Sequence, residues 1–531
     1  MHPVNEPQST SYDQVPYPAG AYPQSHPDRL EVLARLFGMS PQDVRHCRVL
    51  ELGCADGSNL IPMACALEES EFLGVDLSQR QIAAGHEAIS ALGLTNVELR
   101  HTDIRDVHES FGAFDYIIAH GVYSWVPTEV QNHLLRICRE RLSPQGVAYV
   151  SYNTYPGWRM RGMLRDMMLY HSRKFDNPDQ QVEQARALIQ WLAETVRAES
   201  SAYGMLLRTE LEQMQSWQDT YFRHDSLEEV NEPIYFHQFV ERSGKQGLQY
   251  LAEAEFPTML AGNYAAAVNE TLNRLGRDII EMEQYLDFVR NRMFRQTLLC
   301  HNSVKLKRAL GPWSLKGMWL AACLRPGGAE VDFAPGRSAE FSAANGLRIS
   351  SAEPIVKAAV ICLGRVWPGC IAHDNLRAEA EALLVSKGVN PGAGRTSESV
   401  QETLDGALLT FVCKGLCELH GRAPDFVVVT GRLPQACPLA RWQARRGSQV
   451  INRRHERVTL DSFARHLLPL LDGKREQAAI VESLVELVTK GTLSVAVNEQ
   501  PLRDPEQIRK IMERELEKAL HRFGHAALLV G

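Results

Sequence analysis

Residues 48–57, RVLELGCADG, decide the fold of this chain. The stretch opens as an apolar run of strand length and ends in a turn that carries two glycines. A helical pattern follows directly over residues 58–67. A strand that leads through a glycine turn into a helix is the opening unit of an α/β sheet, whose ligands bind at the carboxyl ends of the strands.

Four more strand-like runs follow, at residues 71–77, 97–104, 114–122 and 146–153, and helical patterns at 79–92 and 128–142 separate them. Alternation of strands and helices predicts a parallel sheet with helices on both faces. We therefore expect a Rossmann-like, doubly wound α/β domain.

The rest of the chain divides by pattern into further units. Residues 157–232 are helical and are interpreted as an insertion, after which 233–260 supply the returning last helix and strand of the first domain. A long helical pattern over 265–295 predicts a connector or dimerisation region at 261–304. Mainly helical, winged-helix-like domains are expected at 305–440 and 441–531. The expected domains are 1–47 (N-terminal lid and entry segment), 48–156 with 233–260 (sheet domain), 157–232, 261–304, 305–440 and 441–531.

Composition excludes several classes of protein. The chain has 531 residues, 44% of them hydrophobic, so it is neither wholly disordered nor a single small module. A net charge of -7 argues against a surface built for nucleic acid. Eleven scattered cysteines are typical of reduced thiols in the cytoplasm, and no apolar run of about 18 residues predicts a membrane span.

One local excess of charge is present. Six arginines lie within residues 441–457. We interpret them as a solvated or ion-paired linker, and the alternative is a docking patch for nucleic acid or an acidic partner.

The loops after the first three strands carry the candidate nucleoside site. Gly53 permits a tight turn and Gly57 a close approach of backbone to ligand. Asp76, at the end of the second strand, is placed to accept both hydroxyls of a ribose. After the third strand, Asp103 is placed to accept an adenine amino proton, while Ile104 and Leu77 sandwich the base.

These three motifs, in this order and spacing, resemble the class I S-adenosylmethionine-dependent methyltransferases. The resemblance implies that Glu51, Gly53 and Gly57 line the methionine end of the cofactor, with Asn59 nearby. Gln81 and His120 complete the expected cofactor residues. Tyr17 and Tyr22 follow a Pro-rich, extended run, and we expect them to fold over the cofactor as a lid.

Further segments point to a particular family within these methyltransferases. They are 11–22 (SYDQVPYPAGAY), 151–158 (SYNTYPGW), 224–228 (HDSLE), 231–236 (NEPIYF) and 471–473 (LDG). They resemble methyltransferases that carry a methyltransferase regulatory domain, a family similar to the protein-lysine methyltransferases of rickettsiae. The resemblance implies S-adenosylmethionine as cofactor, a protein lysine as acceptor and a homodimer.

Methyl transfer from a sulfonium is an in-line displacement, so the site has to align the reacting atoms and needs no metal. A lysine acceptor must lose a proton from an amine whose pKa is about 10.4, which aromatic walls and proton acceptors favour. Polar and aromatic residues follow the fourth and fifth strands. We expect Tyr152 and Asn153 to accept amine protons, and Tyr123, Trp125, Tyr155 and Trp158 to form the walls; the alternative is that the aromatic side chains pack the inserted helices.

Two other functions stay open from the sequence. One is a small-molecule methyltransferase with regulatory appendages. The other is a non-enzymatic, cofactor-sensing protein that binds nucleic acid through its winged helices. Appended units of over half the chain favour a macromolecular partner, and the negative net charge favours protein over nucleic acid.

Overall fold

The computed structural model describes residues 11–17, 20–197, 201–391, 396–494, 496–497, 500–502 and 504–531. Most of the expected entry segment is included, but residues 1–10 and 18–19 lie outside the described ranges. Among the described helices, none has the length and apolar character needed to cross a bilayer.

The expected Rossmann-like sheet is confirmed. Its first part comprises α1 (Ser11–Gln14), α2 (Pro27–Leu36), β1 (Arg48–Leu52), α3 (Leu60–Ala66), β2 (Glu71–Asp76), α4 (Gln79–Leu92), β3 (Val97–His101), β4 (Phe114–Ala119), α5 (Thr128–Arg141) and β5 (Leu142–Asn153). These five strands are parallel and lie in the order β3-β2-β1-β4-β5. The strand order reverses between β1 and β4, so the loops that follow these two strands border a crevice.

The expected helical insertion follows β5. It consists of α6 (Trp158–Ser172), α7 (Pro178–Thr195), α8 (Ala202–Gln215) and α9 (Asp219–Leu227). The four helices bury an apolar core of their own, which includes Leu164, Ile189 and Phe222. This separate core makes the insertion a unit that packs beside the sheet domain.

The chain then returns to the sheet through α10 (Phe236–Lys245), β6 (Leu248–Glu253), α11 (Ala266–Leu275), α12 (Ile279–Arg290) and β7 (Phe294–His301). A dimerisation role for residues 261–304 stays a prediction, but the single long helix expected over 265–295 is wrong. Two helices replace it, and β7 enters the sheet between β5 and β6, antiparallel to both. Asn291 ends α12 in the left-handed conformation, with φ of +48°. Because β7 is central and buried on both faces, its sequence lacks the alternation that marks a half-buried strand.

The middle of the chain packs on one face of the sheet. It comprises β8 (Trp319–Ala321), β9 (Leu324–Pro326), β10 (Ala339–Ala343), β11 (Arg348–Ser351), α13 (Pro354–Val366), β12 (Ile371–Ala372), α14 (His373–Ser386), α15 (Ser397–Cys413) and β13 (Glu418–His420). The strands form two small sheets, β11-β10-β9 and β12-β8-β13. Their core is continuous with that of the α2 helix and the adjoining face of the main sheet.

The C-terminal part has a separate core. It comprises α16 (Pro438–Ala444), β14 (Gln449–Ile451), β15 (Arg457–Thr459), α17 (Ser462–Leu467), α18 (Gln477–Thr489), β16 (Ala496–Val497), β17 (Gln500–Pro501) and α19 (Pro505–His525). Ile61 of α3 and Ala88 of α4 join this core, so the C-terminal part sits against the sheet domain near the crevice.

The arginines of residues 441–457 are largely engaged within the chain. Arg446 pairs with Glu87 of α4 at 2.6 Å, and Arg453 pairs with Asp425 at 2.9 Å. The Arg454 guanidinium pairs with Glu418 at 2.6 Å, and its side chain is 6% exposed. For these three of the six arginines, the pattern agrees with the ion-paired interpretation.

A buried ion cluster fixes β7 against β6 and α12. The Arg295 guanidinium is fully buried and donates to Glu253 at 2.7 Å, Glu283 at 2.9 Å and Asp287 at 2.8 Å. Removing one member of a buried cluster leaves the other charges without a partner, which is strongly destabilising.

We predict that Arg295→Met lowers the free energy of unfolding by about 3–5 kcal/mol, because three buried carboxylates lose their common cation. Urea denaturation followed by tryptophan fluorescence measures the change. Arg277→Met is the matched control, since Arg277 pairs with Glu281 on the solvent-exposed surface of the same region. Equal denaturation midpoints for wild type and Arg295→Met would show that the cluster does not hold the strand.

Candidate functional site

A cavity of about 400 Å³ lies at the carboxyl edge of the sheet. It is bordered by the loops that follow β1, β2, β3 and β4 and is covered by the N-terminal segment. Twelve residues expected from the sequence line it: Tyr17, Tyr22, Glu51, Gly53, Asn59, Asp76, Leu77, Gln81, Asp103, Ile104, His120 and Trp125.

The turn after β1 has an unusual backbone. Gly53 has a φ of +75° and Ala55 a φ of +50°. A Cβ atom at Gly53 would lie 2.5 Å from the Val122 side chain, so only glycine fits there. The strained Ala55 directs its N–H to the Asp76 carboxylate at 2.8 Å, which ties the first loop to the second.

Gly57 does not lie in the cavity wall, where the sequence predicts it. Its φ of +74° permits the turn into α3, but a Cβ atom there would meet Leu99 at 2.9 Å and Ile61 at 3.2 Å. Gly57 therefore packs against the interior and does not line the cavity. Its expected role as a ligand-facing glycine is corrected to one in helix and sheet packing.

Asp76 presents a carboxylate with spare hydrogen-bonding capacity. Oδ2 accepts the Ala55 N–H and Oδ1 accepts the Ser78 N–H, both at 2.8 Å. Burial raises the pKa of this carboxyl, and the backbone donors partly offset that effect. A carboxylate has about four lone-pair sites, so two remain for donors in the cavity, as a ribose diol requires.

The loops after β2 and β3 supply an apolar part of the cavity. Leu77 is 50% exposed, which is unusual for a leucine, and it lines the cavity together with Ile104. Asp103 is held by Arg105, whose Nη2 donates to it at 2.7 Å, and this hydrogen bond lowers the pKa of the carboxyl. Two apolar side chains beside an ionised carboxylate suit a flat aromatic base that carries an amino group.

Glu51 is the most unusual group of the site. Its Oε1 accepts from Nδ2 of Asn59 at 2.8 Å, whereas Oε2 is buried without a hydrogen-bond partner among the described residues. Burial raises the pKa of this carboxyl to about 8. An unpartnered buried oxygen is costly, and a cation or N–H donor in the cavity would satisfy it.

The N-terminal segment closes this end of the cavity. The Tyr22 ring stacks on the His120 ring with 3.7 Å between centroids, and the Tyr22 N–H donates to Asn59 Oδ1 at 3.0 Å. His120 is bonded to the Tyr149 hydroxyl at 2.8 Å, and burial lowers its pKa to about 3, so its ring is neutral. Tyr17 lies edge-on to His224 of α9, at 5.7 Å.

Two of the residues expected to line the acceptor pocket lie elsewhere in the structure. Tyr152 stacks on Phe239 of α10 at 4.1 Å and bonds Thr297, and Tyr123 packs edge-on to the same Phe239 at 5.2 Å. Both rings are buried in the core on the opposite face of the sheet. The structure thus contradicts their assignment to the acceptor pocket. Alternation along β5 sends Tyr152 to the face opposite that of Tyr149 and Ser151.

The other expected acceptor residues are dispersed. Trp158 and Tyr155 line a separate cleft of about 970 Å³ in the helical insertion, although Trp158 contacts Trp125 edge-on at 6.2 Å. Asn153 ends β5, is buried, and has no hydrogen-bond partner for its Nδ2 among the described residues. Its contribution to the acceptor site stays a prediction.

Sequence reasoning missed Asp225, which lines the same cavity from α9. Its carboxylate pairs with Arg161, whose guanidinium lies over the Trp217 ring at 4.5 Å. Burial raises the pKa of this carboxyl, and Arg161 and Arg165 partly offset the effect. Asp225 lies in the segment 224–228 that contributes to the family resemblance, but nothing in that segment predicts contact with the cavity, because only the packing of α9 against the sheet domain brings it there.

Among the described residues, no group of three His, Cys, Asp or Glu side chains converges as metal ligands. The polar groups of the cavity instead suit an organic ligand with an amino group, a diol and a flat base.

Comparison with known proteins agrees with this donor set. Three family models match the chain: "Methyltransferase domain" at residues 50–148, "Predicted methyltransferase regulatory domain" at 218–301 and "PKMT, C-terminal winged helix domain" at 433–528. PKMT2 from Rickettsia typhi, solved in complex with AdoHcy, is 31% identical, and the match covers 97% of this chain and 100% of that one with a TM-score of 0.86. The chain belongs to this methyltransferase family. An uncharacterized Rickettsia prowazekii protein is 35% identical over 526 residues, 98% of this chain and 93% of the relative.

The match settles several expectations. The enzyme is an S-adenosylmethionine-dependent methyltransferase, as the sequence resemblance implied. Its C-terminal part is the expected winged-helix domain, although the matched residues begin at 433, before the expected boundary at 441.

We predict that Asp76→Asn raises the dissociation constant of the methyltransferase for AdoHcy about ten- to hundredfold. A neutral amide keeps only one acceptor atom for the two backbone donors and the ribose diol, and hydrogen bonds to a charged group are worth about 1.5–3 kcal/mol. Isothermal titration calorimetry measures the change. Asp106→Asn, an exposed position in the turn after Asp103, is the control. Unaltered affinity of Asp76→Asn would exclude Asp76 from the ribose site.

Proposed function

We propose that the methyltransferase holds S-adenosylmethionine in the cavity described above and directs its methyl group to a lysine amine of a protein. When bound, the cofactor supplies an electrophilic methyl group on a sulfonium sulfur. The chain's own residues then have two tasks, which are to fix the cofactor and to bring a deprotonated amine into line with it.

Three groups would fix the cofactor. Asp76 would accept the ribose hydroxyls, and Leu77 and Ile104 would contact the two faces of the adenine. Glu51 Oε2, the buried oxygen without a partner, would accept from the cofactor's ammonium group. The unpartnered oxygen is the observation that best supports this placement, because a buried carboxylate is stabilised by a cation and not by an apolar ligand.

An amine acceptor is supported by the carboxylates of the cavity. Asp225 lies in the same cavity as Glu51 and Asp76, so the cavity favours cationic groups. A lysine enters as an ammonium and must lose its proton before transfer, and a carboxylate whose pKa is raised by burial is suited to accept one. The aromatic rings of Tyr17, Tyr22 and Trp125 line the same cavity and would exclude water from the amine.

A protein acceptor is supported by the size of the appended units and by the likeness to PKMT2, a name given to protein-lysine methyltransferases. The appended units, residues 157–232 and 305–531, make up over half of the chain, which is more than the binding of a metabolite needs. The alternative, a small-molecule acceptor, is an outcome of the test below. Nucleic acid is disfavoured because Arg446, Arg453 and Arg454 are ion-paired within the chain.

Two further expectations stay proposals. A cytoplasmic site of action is supported by the eleven cysteines, all of which are free thiols. A homodimer rests on the family resemblance, and light scattering during gel filtration tests it directly.

The acceptor is tested by incubating the enzyme with S-adenosylmethionine labelled in the methyl group and a bacterial lysate. We expect label in protein, recovered after acid hydrolysis as N-methylated lysine. Label confined to the small-molecule fraction would replace the protein acceptor by a metabolite. Heat-inactivated enzyme is the control.

We also predict that Asp225→Asn lowers kcat/KM for the acceptor at least about tenfold and leaves the dissociation constant for AdoHcy within about twofold. The amide cannot take the amine proton, whereas the cofactor groups are untouched. Steady-state kinetics and calorimetry give the two values. Asp219→Asn is the control, since Asp219 lies on the same helix with its side chain 77% exposed. Loss of AdoHcy affinity, or full activity, in Asp225→Asn would contradict the assignment.

A further inference from the structure

A turn of the winged-helix domain contacts a residue that lines the methyltransferase site. Residues 452–456 connect β14 to β15, and Asn452 closes the turn by accepting the N–H groups of Arg454 and Glu456 at 2.9 and 2.8 Å. His455, at its tip, is buried and has a φ of +63°. A left-handed histidine is strained, and such strain persists only where the surrounding structure over-determines it.

The His455 ring bonds a residue of the cofactor cavity. Its Nε2 lies 2.8 Å from Oδ1 of Asn59, which is an acceptor, so this ring nitrogen carries a proton and donates. The same Oδ1 accepts the Tyr22 N–H at 3.0 Å, which fixes the orientation of the amide. Burial lowers the pKa of His455 well below its ordinary value, so the ring stays neutral.

The other end of the Asn59 amide holds Glu51. Nδ2 donates to Oε1 of Glu51 at 2.8 Å, and also to the Ser25 hydroxyl at 3.1 Å. The hydrogen bonds thus run from His455 through Asn59 to the carboxylate whose second oxygen faces the cavity without a partner. With both atoms of the amide engaged, Asn59 has one orientation, and the Glu51 carboxylate follows it.

We propose that His455 is a positioning residue for the cofactor site, contributed by the winged-helix domain through Asn59. It holds the Glu51 carboxylate in the orientation that receives the cofactor's ammonium group. The inference rests on the proposed cofactor placement and adds a role for the C-terminal domain within the site itself. Because the domain is needed to complete this hydrogen-bond chain, its docking on α3 and α4 sets the cofactor affinity.

The test compares His455→Ala with His455→Gln in the full chain. A net hydrogen bond of about 1 kcal/mol predicts that His455→Ala weakens AdoHcy binding about fivefold. His455→Gln restores most of the affinity, because its amide N–H reaches Asn59 from a similar position. Calorimetric titration measures both variants, and circular dichroism confirms that each is folded.

A second ligand separates positioning from general damage. 5′-Methylthioadenosine has the base, the ribose and a sulfur but lacks the amino-acid end, so its affinity should be the same for wild type and His455→Ala. His466→Ala, at a half-buried histidine of α17 in the same domain, is the matched control and should bind both ligands as wild type does. In Asn59→Ala, adding His455→Ala should cause no further loss.

The outcomes are distinguishable. Equal weakening of both ligands, failure of the glutamine variant to restore AdoHcy binding, or undiminished affinity of His455→Ala would each overturn the inference. If wild type itself failed to bind AdoHcy, the proposed cofactor placement would fail, and the role of His455 with it.

Discussion

The site depends on one buried carboxylate that the chain only half satisfies. Glu51 is buried near the end of the first strand of the sheet, and one of its oxygens accepts a hydrogen bond from Asn59. The other oxygen has no partner among the described residues. Burying such a group is unfavourable unless a donor meets it, so its presence in the wall of a cavity indicates a site that is completed by its ligand.

Three distant parts of the chain hold this carboxylate in place. The N-terminal segment supplies Tyr22, whose N–H bonds Asn59, and the winged-helix domain supplies His455, which bonds the same oxygen. The regulatory region holds an earlier part of the N-terminal segment, since the His224 ring bonds the carbonyl oxygen of Val15 at 2.6 Å. The role proposed for the appended units in positioning the cofactor site thus adds to their proposed role as a surface for a protein acceptor.

Much of the sheet domain was accessible from the sequence because its signals are local. A strand, a glycine turn and a helix are adjacent in the chain, and the acidic residues after successive strands must share one edge of a parallel sheet. The positions of Asp76, Leu77 and Ile104 in the cavity wall could be predicted because all three lie at or just after the ends of strands of this sheet. The location of Gly57 could not be predicted in this way. A glycine with positive φ permits a tight turn whether a ligand lies beside it or, as here, the side chains of Leu99 and Ile61 do.

The remaining errors share a physical cause, which is dependence on contacts between residues far apart in the chain. The strand β7 (FRQTLLCH) is covered on both faces and mixes apolar residues with the buried polar residues Arg295 and Thr297, so periodicity could not separate it from the preceding helices. The position of Tyr152 near the strand end predicts a place at the acceptor, whereas alternation along β5 puts its ring on the opposite face of the sheet, stacked on Phe239. Asp225 and His455 reach the cavity only through domain packing, which no local spacing encodes.

The ionisation of the Glu51 carboxyl can be tested by measuring how many protons are released when AdoHcy binds. With its pKa raised to about 8, Glu51 is mostly protonated in the free enzyme at pH 6.5 and must ionise to receive an ammonium group. Calorimetric titration of AdoHcy at this pH, in two buffers of different ionisation enthalpy, should therefore show release of close to one proton by wild type and none by Glu51→Gln. The same proton count for both proteins, or no release by wild type, would contradict the account.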